Sequence, residues 1–314
     1  MDSQAGAPPD YFSADGQNWG FPTYNWDRMA QDGYLWWKKR FTKMAEYFDA
    51  YRIDHVLGLF RIWEIPHEYQ SGKMGHFAPA LPYSREELTS GGFNLDLFLE
   101  DPHRPGYYHP RIDAKGKGGY EFDALYDDFF FHRHNEFWKS EARKKLPALI
   151  AATNMLTCAE DLGMIPDCVP GVLNDLKILT LEIQRMPKDP SVVLGNPNYF
   201  PYRCVCTTGS HDTSTLRGWW GETHDGQECP TDTCKWIISE HLHSPSMLCI
   251  IPWQDWTSID EQIRAADTSS ERINNPANPH HYWRYRMHID LETLNRRSDE
   301  FNRKVKEMII TSGR

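Results

Sequence analysis

The chain has 314 residues, a formal net charge of −10 and seven cysteines. An acidic balance repels a phosphate backbone, so nucleic acid is not an expected partner. No run of about 18 apolar residues marks a transmembrane helix, and residues 1–9 lack the apolar segment of a signal peptide, so a cytoplasmic protein with reduced thiols is expected.

The first segment, Gly6 to Phe12 and Gly16 to Gly20, is rich in Pro and Gly and predicts an irregular loop. From Asp27 to Asp49, Met29, Tyr34, Trp37, Phe41, Met44 and Phe48 recur at helical steps. A short strand at Ala50–Asp54 follows, and an apolar run from Phe60 closes at Pro66. The stretch of about 71–121 is polar and rich in Gly and Pro, and predicts an insertion of irregular structure. Phe122–Leu149 is helical in pattern.

The second half alternates. Strands are predicted at Met155–Ala159, Ile178–Ile183, Arg203–Thr208 and Met247–Pro252, with helices at Cys168–Leu176, Asp232–His241 and Leu291–Ile310. Alternating βα units indicate a parallel α/β sheet. Polar residues gather at the C-terminal strand ends, which is where a (β/α)₈ barrel builds its active site. A Rossmann sheet would carry a glycine fingerprint after its first strand, and the sequence has none. Five such strands do not close an eight-stranded barrel, so the chain is expected to begin partway round it. An unclosed sheet edge invites aggregation, so instability of the isolated chain is also expected.

Asp54, Glu160 and Asp212 each end an apolar strand. Taken singly, such a residue is more often a loop carboxylate or a helix cap. Three strand-end carboxylates on one barrel face, two of them beside His55 and His211, match retaining glycoside chemistry. There one carboxylate attacks the anomeric carbon, a second gives and takes a proton, and a third supports the oxocarbenium-like state. Arg52 lies two residues before Asp54, on the same strand face, where its charge would keep Asp54 ionised. Asp161, beside Glu160, would disfavour a second charge and raise the Glu160 pKa.

The strings Tyr51-Arg-Ile-Asp-His55, Trp63-Glu-Ile-Pro66, Ala159-Glu-Asp-Leu-Gly163 and Gly209-Ser-His-Asp-Thr213 resemble the 4-α-glucanotransferase family (amylomaltase or disproportionating enzyme, glycoside hydrolase family 77). Pro82 to Leu88, Ile183 to Pro187, His211 to Arg217, Ser244 to Met247 and Asn275 to Arg286 resemble its plant-type, maltose-using branch. The resemblance implies a family 77 (β/α)₈ barrel, represented by about strands 4–8, across residues 1–314, with the insertion at about 71–121. It implies Asp54 as nucleophile, Glu160 as acid/base and Asp212 as transition-state stabiliser. Arg52 and His211 would support them, and Tyr11, Gln17, Trp19 and Asp161 would join the glucan-binding set. It implies glucosyl transfer from maltose or maltodextrin to the 4-hydroxyl of an α-glucan. No cofactor and no metal are expected. Gln254 and Asp255 resemble a motif after the last strand, and Glu64 is expected to be structural. A truncated, inactive glucan-binding fragment and an α-amylase-type hydrolase remain open alternatives.

Cysteine spacing offers no zinc site, because no second pair matches the first. His132 and His134 lie two apart on a predicted helix and do not share a face.

Overall fold

The computed structural model describes residues 3–9, 13–276, 281–297 and 299–314. The chain divides into two compact units, Met1–Ile178 and Leu179–Arg314.

In the first unit, β1 (Ser3–Ala7) lies between β2 (Gln17–Pro22) and a later strand, all antiparallel. The Gly- and Pro-rich start is therefore strand at Ser3–Ala7 and Gln17–Pro22, where a loop was expected at Gly6 and from Gln17 to Gly20; residues 10–12 lie outside the described residues. Its glycines serve close approach rather than chain breaking. A Cβ on Gly6 would lie 2.1 Å from the Gln17 carbonyl oxygen, so only glycine lets β1 and β2 meet there.

The helical stretch predicted from Asp27 forms two helices, Trp26–Gln31 and Leu35–Met44. The break has a local cause: Gly33 and Tyr34 both adopt positive φ, 68° and 63°. Tyr34 keeps that conformation while its ring is buried, as is Phe41 in the second helix.

Strand β3 (Ala50–Ile53) precedes β4 (Ile62–Pro66), the strand that flanks β1. β4 pairs with β5 (His76–Ala78), giving the sheet order β2-β1-β4-β5. The insertion is ordered, contrary to the irregular structure expected of it. β6 (Tyr83–Ser84), β7 (Phe98–Glu100) and β8 (Tyr107–Pro110) form an antiparallel sheet with β8 at the centre. Ser84 opens the helix Arg85–Ser90 with a reciprocal cap: its side chain accepts from the Glu87 N–H while Glu87 accepts from the Ser84 N–H. The Gly and Pro content marks tight turns between very short strands.

The next helical stretch is also divided. Helix Tyr120–Asp127 runs into a wider π turn over Asp128–His132, and Asn135–Ile150 follows. His134 lies at the join, with its Nδ1 2.8 Å from the Phe129 carbonyl oxygen. β9 (Leu156–Ala159) pairs parallel with β3, and helix Cys168–Asp175 completes the unit. Its core is aromatic: Phe60, Trp63, Phe77, Phe122, Phe129 and Trp138 are all fully buried.

The second unit holds β10 (Thr180–Ile183), β11 (Cys204–Thr207) and β12 (Leu248–Cys249), all parallel and in that order. Helices Leu216–Thr223, Thr231–Leu242 and Trp253–Thr257 pack around them. The helix expected at the C-terminus is seen as Leu291–Arg297 and Asp299–Thr311, on either side of residue 298, which lies outside the described residues. Cys204 and Cys206, two apart on β11, are both fully buried as the strand period requires. All seven cysteines are free thiols. Among the described residues no helix is long and apolar enough to cross a membrane.

Candidate active site

In the first unit, backbone pairing brings two of the strand-end carboxylates together. β3 and β9 run in register, with Arg52 opposite Cys158 and Ile53 opposite Ala159. Asp54 and Glu160 each follow the last rung. The ladder continues through the turn: the Glu160 N–H donates to the Ile53 carbonyl at 2.9 Å, and the Val56 N–H donates to the Glu160 carbonyl at 2.9 Å.

Strand alternation sorts the side chains. Tyr51 faces inward, where its hydroxyl oxygen accepts from Thr157 Oγ1 at 3.0 Å. Arg52 and Asp54 face out and form an ion pair, Nη1 to Oδ1 2.5 Å. The Glu160 carboxylate is fixed by two backbone donors, the His55 N–H on Oε2 and the Leu162 N–H on Oε1, both at 2.9 Å. Its pKa is raised, first by burial and then by the Asp54 charge, against the lowering effect of those donors and of Arg52. Sequence reasoning expected Asp161 to supply the repulsion. The nearby charge that acts is Asp54, and Asp161 is itself buried, 1% exposed.

His55, between Asp54 and the first 3₁₀ turn, has positive φ, 46°. Its pKa is pushed down to about 3, first by burial and then by Arg61, so the ring is neutral. It packs edge-on against Trp19, ring centroids 5.0 Å apart, and Trp19 Nε1 donates to Gln17 Oε1 at 3.1 Å. Gln17 and Trp19 thus lie on β2 rather than on a loop, with Trp19 against His55. Tyr11 lies outside the described residues.

In the second unit, Asp212 sits in the loop after β11. His211 Nε2 lies 3.0 Å from its Oδ2, and Asn274 Nδ2 donates to its Oδ1 at 2.7 Å. The Asn274 N–H also holds the His211 carbonyl at 3.1 Å. The loop is clamped from beneath by Arg185, which donates to the Thr208 and Ser214 carbonyls, each at 2.9 Å. A Cβ on Gly209 would lie 2.3 Å from Arg185 Nη2, so the clamp requires glycine.

Asp255 is buried and accepts from Thr208 Oγ1 and, at 2.7 Å, from the Leu216 N–H. Burial raises its pKa. Gln254 Nε2 donates to the Glu271 carbonyl at 3.1 Å. Glu271 and Arg217, both almost wholly buried, pair at 2.8 Å, and Thr215 Oγ1 donates to Glu271 at 2.9 Å. A cleft beside Asp212 is lined by Ser210, His211, Thr213, Gln254, Asp255 and Glu271. Gln254 and Asp255 therefore brace the loop. The string Asn275 to Arg286 lies partly outside the described residues; of its aromatics, Trp283 meets the His211 ring, centroids 5.5 Å apart.

Asn274 and Arg185 were missed as site residues. Arg185 stands inside a string that resembles the family, but nothing local shows what it clamps. Asn274 immediately precedes another and carries no mark in composition.

Comparison with known proteins adds independent findings. The family 77 profile, described as 4-alpha-glucanotransferase, matches residues 1–292. The 4-alpha-glucanotransferase DPE2 of Oryza sativa subsp. japonica is 33% identical, over 100% of this chain and 44% of its own length. The 4-alpha-glucanotransferase of Chlamydia pneumoniae is 25% identical, over 92% of this chain and 47% of its own length. The fold matches that of amylomaltase from Streptococcus agalactiae, solved in complex with acarbose, with a TM-score of 0.64 and 20% identity over 99% of this chain and 51% of that one. The chain spans about half the length of the relatives it matches. With the profile covering residues 1–292 and its motifs carried on paired strand ends, the chain belongs to the 4-alpha-glucanotransferase family, glycoside hydrolase family 77.

Proposed function

We propose that this chain carries the catalytic residues of a retaining 4-α-glucanotransferase, as about strands 4–8 of a (β/α)₈ barrel spanning residues 1–314, with an insertion at about 71–121. The observation that carries the proposal is the pairing of β3 with β9. It sets the ion-paired Asp54 beside the buried Glu160, whose raised pKa favours the proton-holding form.

In the first half-reaction an Asp54 carboxylate oxygen bonds to the anomeric carbon. The glycosidic C–O bond breaks, and the leaving oxygen takes the Glu160 proton. In the second, the 4-hydroxyl of an acceptor glucan loses its proton to Glu160 and bonds to the anomeric carbon. The bond to Asp54 breaks as the new bond forms, and its carboxylate is regenerated, with net retention. Arg52 holds the Asp54 carboxylate in place through their ion pair. Asp212, oriented by Asn274 and flanked by His211, supports charge in the transition state through sugar hydroxyls. Asp161, which is buried, belongs to the glucan-binding set. Trp19 and Gln17, with Tyr11, cover bound glucan and limit the entry of water, which favours transfer over hydrolysis. The donors are maltose or maltodextrins, the acceptors are glycogen-like α-glucans, and the reaction is placed in the cytoplasm.

Product analysis with maltose plus glycogen tests this, on the chain alone and together with the N-terminal barrel strands of a relative. Free glucose with lengthened glucan, lost in Asp54→Asn, is expected. Shorter sugars alone would identify a hydrolase. No turnover in either form would overturn the catalytic assignment.

A further inference from the structure

The insertion contains buried imidazoles that its own hydrogen bonding does not satisfy. β4 and β5 pair with Glu64 opposite His76. His76 is buried, yet its Nε2 has no hydrogen-bond partner. That nitrogen lies 3.8 Å from Glu64 Oε2, too far for a hydrogen bond. His103, in the turn between β7 and β8, brings its Nε2 to 3.4 Å from the same Glu64 oxygen. One donor atom from each of the three residues falls within 4.8 Å of the others. Donors around a tetrahedral zinc at about 2.0–2.1 Å stand roughly 3.4 Å apart. The cluster is therefore close to ligating geometry, and His103, whose Nε2 already bonds Glu64 Oε2, is exposed enough to shift and complete it.

The support around these residues is also in place. His109 stacks on the His76 ring, centroids 5.0 Å apart and 26° from parallel, which fixes the ring plane. The Asp101 carboxylate accepts from the His103 N–H at 2.8 Å and anchors the turn. Ordered surroundings of this kind orient metal ligands.

We propose that Glu64, His76 and His103 bind one divalent transition-metal ion of the zinc class, which fastens the β7–β8 turn to the β4–β5 hairpin. Two imidazoles and a carboxylate suit zinc; magnesium and calcium select oxygen ligands instead. Three protein ligands leave the fourth position to water on the exposed His103 side. Cysteine spacing could not reveal this site, because it contains no cysteine and its ligands are drawn from three separate elements.

The test uses the chain without a polyhistidine tag, stripped by a chelator and titrated with Zn(II) against a chromophoric competitor. Melting is followed with and without the ion. About one equivalent is expected, with a rise in melting temperature on binding. Substitution with Co(II) should give the visible bands of a four-coordinate ion. His103→Ala removes an exposed ligand and leaves the buried core intact. It should weaken binding by about 100-fold or more, beyond what loss of an outer partner costs, and abolish the rise in melting temperature. Glu64→Gln should act alike, and His67→Ala, on the exposed loop after β4, should bind as the parent does. Absence of stoichiometric binding, or His103→Ala binding like the parent, would overturn the site.

Discussion

Glu271→Gln isolates the charge in the pair that braces the Asp212 loop. The substitution is isosteric and can still accept from Thr215, so the main loss is the countercharge of Arg217. Both residues of that pair are almost wholly buried, so Arg217 cannot recover its loss from water. Removing one partner of a buried pair costs about 3–5 kcal/mol. Arg217 retains Glu228 at 2.6 Å, a half-exposed carboxylate, and the Ala265 carbonyl at 2.8 Å, which places the cost near the lower end, about 3 kcal/mol. For a unit of this size that corresponds to a midpoint lowered by roughly 10 °C. Thermal and urea unfolding of parent and variant would measure it. The double variant Arg217→Met, Glu271→Gln should recover most of the loss, because an apolar side chain of similar length requires no countercharge. A single variant within about 2 °C of the parent, or a double variant no better than the single, would refute the claim that the unpaired charge dominates.

Other outcomes follow from the same geometry. Because the folded pKa of Glu160 is raised, the stability this group contributes is present below its unfolded value and is lost as pH rises through the folded one. Unfolding free energies should therefore show Glu160→Gln gaining on the parent as pH rises above about 4, with the difference constant at lower pH. Asp54→Asn should shift the Glu160 titration downward, since it deletes a raising charge; carboxyl-carbon NMR on the variant would see an unchanged titration if Asp54 did not act. Asn274→Ala deletes a charge-assisted donor to Asp212 and should lower transfer kcat by about 10- to 100-fold at unchanged melting temperature. Gly6→Ala forces β1 from β2 and should destabilise the first unit by about 1–3 kcal/mol, with altered Trp19 fluorescence.

What could be read from the sequence was what period and position determine. β3, β9, β10 and β11 fall within a residue or two of expectation, and β12 lies inside its predicted span, because short apolar runs ending in charge leave little else for the chain to do. The first segment and the insertion were misjudged for one reason. Gly and Pro were taken as breakers, whereas Gly6 allows two strands to touch and the insertion's glycines turn between strands of two to four residues. The break at Gly33 and Tyr34 was hidden because the apolar period continues through it. The contacts that orient Asp212 join residues 62 apart, and those of Arg185 span 23 and 29, separations at which no local pattern operates. Aromatic content divides between two uses: Trp63 and Trp138 fill the core, while Trp36 and Trp283 remain about half exposed.

The in-register pairing of β3 with β9 has an evolutionary consequence. A strand can shift against its neighbour only in whole residues, and a shift of one would turn its carboxylate to the opposite face. The smallest shift that keeps both carboxylates on one face is two residues, about 6.6 Å. That exceeds the whole 5–5.5 Å separation used by retaining enzymes. For the proposed pair, no graded series of backbone arrangements therefore connects one spacing to the next. Sequence drift in these strands should leave the distance between the two carboxylates untouched until the fold itself fails, while the loops and the insertion remain free to vary around it.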